Sequence, residues 1–277
     1  MSPGERAAQS IREEATSIKA GNVHPHAAFQ DMDWSDFMAA ATAIGIALDA
    51  KVQASLGEAV FACTQAMLDA VKVNTSLGTI LLLVPLAQLD PRANWTRATA
   101  QQHVEDLLRR TTPEDATAIY ASIRLVQPGG LGSSPSRDVH DTPPASILEA
   151  MQIAAEWDDV AWQYVTRFEH VFALADQIDA ACHAGWNLGD AVRKTQAEFL
   201  ATRLDSLVVR KHGRKLGQLV MARAQEVLAA GPYASPAYEA AWADWDDWLR
   251  DPKQRKNPGT TADLIAAALF VRQTSWF

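Results

Sequence analysis

The chain has 277 residues, of which 48% are hydrophobic and 21% charged, with a formal net charge of −8. This is the balance of a globular protein with length for one large core, and its acidity argues against nucleic-acid binding through a general basic surface. The apolar run around Leu81 is shorter than the roughly 20 residues of a membrane-spanning helix and contains Pro85, so no membrane contact is expected. The N-terminus has no apolar signal-like stretch, and Cys63 and Cys182 show no metal-ligand spacing. Cytoplasmic location and reduced thiols are the expectation.

Apolar residues recur at helical spacing almost throughout, and no alternating run argues for a sheet. The expectation is an all-α protein, a single domain over 1–277. A first helix is expected from Glu5 to Lys19, stopping at Gly21. A polar loop follows, 22–33, holding His24, His26, Asp31 and Asp33. Asp33 then caps a helix to about Ala50, and another runs from Ser55 to Lys72. The centre of the pattern is 74–89, apolar on every face as in a helix packed on all sides, with Asn74, Thr75 and Ser76 at its mouth. Gly78 and Thr79 are small enough to let a ligand or another backbone approach that first turn, where exposed N–H groups favour an anion.

Two helices are expected after Pro91, the second opening at Thr112-Pro113-Glu114-Asp115, where cap, N1 proline and first-turn acids coincide. Glycines and prolines between Gln127 and Pro144 exclude regular structure, and a loop of that length suggests a lid or disorder. Helical pattern resumes near Ser146 and, after a break at 156–159, continues to about Cys182. It returns from Gly189 to Leu204. A short connection, 205–213, precedes a helix ending near Gly231. Ser235 caps a helix bearing Tyr238, Trp242, Trp245 and Trp248, a stripe that fits core or a homodimer face. The last helix is expected after Asn257-Pro258-Gly259-Thr260-Thr261-Ala262-Asp263.

Polar residues therefore gather where helices begin or break. Asp31-x-Asp33 could offer two carboxylates to one Mg²⁺, although Asp33 is already explained as a cap. His24-x-His26 has no third ligand of clear spacing. Gly129, Gly130 and Gly132, with Arg137 nearby, could wrap an anion in backbone N–H groups, but neither a P-loop nor a dinucleotide fingerprint is present. Arg210, Lys211 and His212 follow the apolar Leu207-Val208-Val209, which would anchor fixed positive charge at a helix break.

Four pieces resemble the triphosphoribosyl-dephospho-coenzyme-A synthases: Asp31-Met32-Asp33, Asn74-Thr75-x-x-Gly78, Asp205-Ser206 with Arg210 and Gly213, and the stretch from Asn257 to Phe270. Together they span nearly the whole chain in order. The resemblance implies an all-helical, ATP-using enzyme in cofactor assembly. In the implied reaction, the 2′-hydroxyl of 3′-dephospho-coenzyme A, or of a related acceptor, displaces adenine from the ribose C1′ of ATP. It also implies small-molecule nucleotide substrates and Mg²⁺. Asp31 and Asp33 would be magnesium ligands or acid–base groups and Asp205 a further catalytic carboxylate. Arg210 and Lys211 would hold phosphates, and Asn74, Thr75 and Gly78 would form the helix-mouth contact. The loop glycines, Arg137, His24 and His212 complete the candidate nucleotide-binding set. The chain departs from the citrate-lyase branch of that family, which carries His-Lys where this chain has Ser76-Leu77. It also has Arg210-Lys211-His212 in place of an Arg-Gly-Gly ending, and a different loop before Asp31. Two further readings remain at this stage: a Mg-dependent N-glycosidic hydrolase of a nucleotide, and a non-catalytic nucleotide-binding protein.

Overall fold

The computed structural model describes residues 1–89, 96–129 and 138–273. Among the described residues it contains fourteen helices and no strand. Helix α1 (Pro3–Thr16) starts earlier than its apolar spacing suggests, because Ser2 and Glu5 form a reciprocal capping box. It also stops earlier: Lys19 turns back, and its buried ammonium bonds the carbonyls of Glu14 and Ser17, occupying acceptors that a longer helix would use. Helices α2 (Trp34–Lys51) and α3 (Leu56–Val71) follow, capped by Asp33 and Ser55.

The central helix is α4 (Leu77–Ala87), and every residue of it except Gly78 is buried. Pro85 lies in its last turn, where a proline has no N–H for the carbonyl four residues back. That carbonyl, on Leu81, accepts the Tyr164 hydroxyl at 2.7 Å instead, so a side chain from another helix replaces the lost bond. Helices α5 (Arg97–Arg109) and α6 (Pro113–Val126) come next. Thr112 and Asp115 form the cap expected at α6, and Asp115 also accepts the Gly57 amide at 2.8 Å, tying α6 to α3.

The stretch from 146 to 183 forms three helices: α7 (Ile147–Ala154), α8 (Asp159–Val165) and α9 (Glu169–His183). The expected break at 156–159 separates the first two. The second break has no Gly or Pro to announce it. Arg167 and Phe168 adopt φ of 57° and 60°, and the buried amide of Gln163 reaches forward to accept the His170 N–H at 3.1 Å, standing in for a cap.

Helix α10 (Leu188–Thr202) is capped by Asn187. The segment expected as a connection is instead α11 (Ser206–His212), with Asp205 at its N-cap. Helices α12 (Arg214–Ala229) and α13 (Pro236–Leu249) follow. Tyr238, Trp242 and Trp245 of α13 are buried against α10 and α12, so the aromatic stripe is core. Helix α14 (Gly259–Arg272) begins before Asp263 rather than after it. Its start is stabilised by a carboxylate from outside its own sequence, described below.

One hydrophobic cluster joins α1–α9 and α14, and a smaller one joins α10–α13; α10 contributes Ala191 and Val192 to the first and Ala197 and Leu200 to the second. Among the described residues, no helix is long and apolar enough to cross a membrane.

Candidate active site

A cavity of about 560 Å³ opens where the loop 22–33, the start of α4, the residues after α6, helix α11, the start of α14 and the body of α7 and α8 meet. One wall is apolar, built from the sides of α6, α7 and α8 by Tyr120, Ile123, Ile147, Met151, Val160 and Ala161. Most of the polar lining comes from helix ends and loops, and the side that carries the cations is the polar wall.

Three cations gather on the polar wall. Lys211 is half-buried, and its ammonium pKa is held below the usual lysine value by burial and then by the neighbouring Arg255 and Arg210, with Asp31 opposing. Arg210 is ion-paired with Asp158, and Arg255 with Asp31. The position of Arg255 is set by two contacts: its guanidinium lies 4.4 Å over the Phe29 ring, and its carbonyl bonds His212 Nε2 at 2.8 Å. Gly129 lies directly against the stem of Lys211, since a Cβ there would stand 2.9 Å from Lys211 Cε. Buried Arg210 Nε and Asn257 Oδ1 have no hydrogen-bond partner among the described residues, and both residues line the cavity.

At the mouth of α4, Asn74 Oδ1 accepts the Leu77 amide at 3.1 Å. Asp263, from the second turn of α14, accepts both the amide of Thr79, at 2.9 Å, and its hydroxyl, at 2.5 Å. A Cβ on Gly78 would come within 2.2 Å of Asp263 Oδ2, so the glycine is required by this carboxylate. The N-terminus of α4 thus already faces a negative charge supplied by the protein. Asp263 lies deep in the fold and is still reached from the cavity. Burial, with smaller contributions from Glu14 and Asp205, raises its carboxyl pKa to about 7. Glu14 also lines the cavity and is paired with the buried Lys19 at 3.0 Å.

Asp205 is 1% exposed and outside the cavity lining. Its Oδ1 accepts the Val208 amide at 3.0 Å, and its Oδ2 accepts the amide and hydroxyl of Thr261, each at 2.8 Å. One carboxylate therefore caps α11 and the first turn of α14 together. Ser206 extends the joint: its hydroxyl accepts the Asp159 amide at 3.1 Å and donates to Thr260 Oγ1 at 3.0 Å. The Asp205-Ser206 pair holds the starts of α8, α11 and α14 in register.

Of the residues singled out from sequence, Asp31, Asn74, Thr75, Gly78, Gly129, Arg210 and Lys211 line this cavity. Asp33 does not: its carboxylate accepts the amides of Ser35 and Asp36 as the α2 cap, and hydrogen bonds from Ser35 and these amides hold its pKa down. Asp31 and Asp33 are thus drawn to different partners. His24 also lies outside the lining. Its Nδ1 faces the His26 amide at 3.3 Å, and burial lowers its pKa to about 4, leaving the ring neutral. His212 acts on Arg255 from behind. Gly130, Gly132 and Arg137 lie outside the described residues. Among the described residues, no cluster of three or more His, Cys, Asp or Glu side chains could hold a metal ion. Sequence reasoning did not single out Glu14, Asp158, Arg255, Asn257 or Asp263 as site residues. The signals for the last two were the polar stretch 253–263 and their place in the distinctive closing motif, and for Arg255 that stretch and the basic group it forms with Lys253 and Lys256.

A family model described as ATP:dephospho-CoA triphosphoribosyl transferase matches residues 1–276. The chain belongs to this family. Membership favours the transfer reaction over hydrolysis or simple binding. No curated protein matches the chain. Among solved structures, a crystal structure of a "putative triphosphoribosyl-dephospho-coA synthase" from Archaeoglobus fulgidus is similar over 87% of this chain and 100% of its own. The identity is 22% and the TM-score 0.66, so the likeness is one of fold.

Proposed function

We propose that triphosphoribosyl transfer takes place in this cavity, with the triphosphate of ATP on the polar wall and the acceptor reaching C1′ from the apolar side. The observation that carries this reading is the convergence of Arg210, Lys211 and Arg255 on one wall, where fixed cations can meet a polyphosphate without unfolding anything to reach it. Asn257 and the Asn74-Thr75 mouth lie on the same cavity and can orient the ribose or base by hydrogen bonds.

The donor set fits Mg²⁺ delivered with the triphosphate rather than held in a cage made by protein alone. Asp31 and Asp158 are the cavity carboxylates next to the cations, and each would face the metal once its arginine turned to phosphate. Bound there, the ion would neutralise phosphate charge. Asp33 holds α2, and Asp205 acts as a positioning residue for the starts of α11 and α14. His24 and His212 support the loops around the cavity. The reaction belongs with the ATP pool of the cytoplasm.

The test is incubation with ATP, Mg²⁺ and 3′-dephospho-coenzyme A, following free adenine and adduct mass. The reading requires adenine release that depends on the acceptor and produces a triphosphoribosyl adduct. Adenine released equally with water alone would replace transfer by hydrolysis, and binding without any release would remove the catalytic reading.

A further inference from the structure

We propose that Asp263 is the group that takes the proton from the acceptor's attacking hydroxyl. The inference rests on the transfer reaction proposed above and adds a residue to it. Of the other cavity carboxylates, Glu14 faces Lys19, Asp31 faces Arg255 and Asp158 faces Arg210, while Asp138 accepts the amide of His140 at 3.0 Å. A carboxylate neutralised by a cation is a weak base. Among the described residues, no lysine or arginine pairs with Asp263, which accepts hydrogen bonds from the amide and hydroxyl of Thr79.

Those two bonds fall on Oδ1 and fix the carboxylate plane. Oδ2 lies against Gly78, the one residue of α4 that is not buried, where any larger side chain would collide with it. Thr79 thus holds one oxygen still, and the missing side chain at Gly78 lets the other lie against the start of α4, on the cavity that both residues line. The charged groups facing Asp263 from the elements packed around it are Glu14 on α1 and Asp205 at the start of α11, both acidic. Their repulsion and the burial of the site make its carboxylate more basic than an exposed one, with a pKa of about 7, suited to a base working near neutrality.

The step balances as follows. The acceptor oxygen forms a bond to C1′ of ATP while the C1′–N9 bond breaks, and its electron pair leaves with adenine. The hydroxyl proton passes to Asp263 Oδ2 and then to solvent, while adenine takes up a proton from solvent. Positive charge developing at C1′ is also stabilised by an unpaired carboxylate nearby.

The test compares wild type with Asp263→Asn, whose Oδ1 still accepts both Thr79 bonds, in adenine release against pH and in ATP binding by calorimetry. We expect acceptor-dependent turnover to fall about 10²–10⁴-fold, the contribution typical of a positioned base, with ATP affinity changed by less than about threefold, below 1 kcal/mol. In the wild type, log kcat/KM should rise with pH to a plateau above about 7. Thr79→Val removes a hydrogen bond to the ionised carboxylate and should move that limb to higher pH, a readout that holds even if Asp263→Asn folds poorly. An Asp263→Asn enzyme retaining more than a tenth of wild-type turnover overturns the assignment alone. So does a wild-type profile without the limb. A wild-type enzyme that releases no adenine overturns the reaction and this assignment together.

Discussion

Replacing Asp205 by alanine separates a joint between helices from a group that does chemistry. In the native protein, this carboxylate accepts the amide of Val208 and the amide and hydroxyl of Thr261 in a buried position. Alanine leaves two buried N–H groups without acceptors, while the threonine hydroxyl can rotate to seek another. At about 1–3 kcal/mol for each orphaned donor, partly offset by relief of the cost of burying a carboxylate, the loss is about 3 kcal/mol. For a chain of this size that corresponds to a fall in melting temperature of roughly 5–6 °C. Asp205→Asn should also destabilise, because an amide offers one oxygen where the site uses two and turns an NH₂ toward existing donors. Thermal unfolding followed by circular dichroism reads both changes. An Asp205→Ala protein that melts within 2 °C of wild type yet has lost turnover would refute the joint and return Asp205 to the reaction itself.

Lys211→Met should raise the KM for ATP roughly 10- to 100-fold, the value of a lost hydrogen bond to a charged group, with kcat moving less. Steady-state adenine release measures it, and an unchanged KM would take the triphosphate off this wall. Asp159, half-buried beside Asp205 and Asp158, has its pKa raised to about 7 by burial and then by those carboxylates. A raised carboxyl favours the protonated folded state, so its contribution to stability is present below the unfolded value near 4 and is lost as pH rises through 7. Asp159→Asn should therefore melt higher than wild type at pH 8 and nearly the same at pH 4; melting curves showing no such pH-dependent difference would rule this out.

What could be read from sequence depended on how far each partner lies along the chain. The start of α6 was legible because cap, proline and acid sit within four residues, and they form the bonds expected of them. The central helix was legible for a similar reason, since its apolar residues are contiguous and α4 is buried along its length. Helix α11 was not, because the donors that fix Asp205 include Thr261, 56 residues away, and a seven-residue helix leaves little periodicity to detect. The break before α9 is made by Gln163 reaching forward, a bond that no turn residue signals. The DxD pair illustrates the opposite error: Asp31 and Asp33 are adjacent in pattern, yet one is drawn to Arg255, 224 positions on, and the other to its own helix. Asp263 sits at the head of a long apolar run, where spacing alone marks it as the edge of a buried helix rather than as part of a cavity.

The two walls of the cavity have different tolerances to mutation. Ile123, Met151 and Val160 project from the sides of helices, where exchanging one aliphatic side chain for another typically costs less than about 1.5 kcal/mol and changes the room available without moving a backbone. The cation wall is carried by α11 and by the connection into α14, and the starts of those two helices are tied to one another through Asp205 and Ser206. With ATP and acceptor placed as proposed above, a lineage can try new acceptors by substitution on one side while inheriting the donor side intact. That asymmetry gives the family a route by which its members can part ways over what they modify while continuing to draw on the same nucleotide.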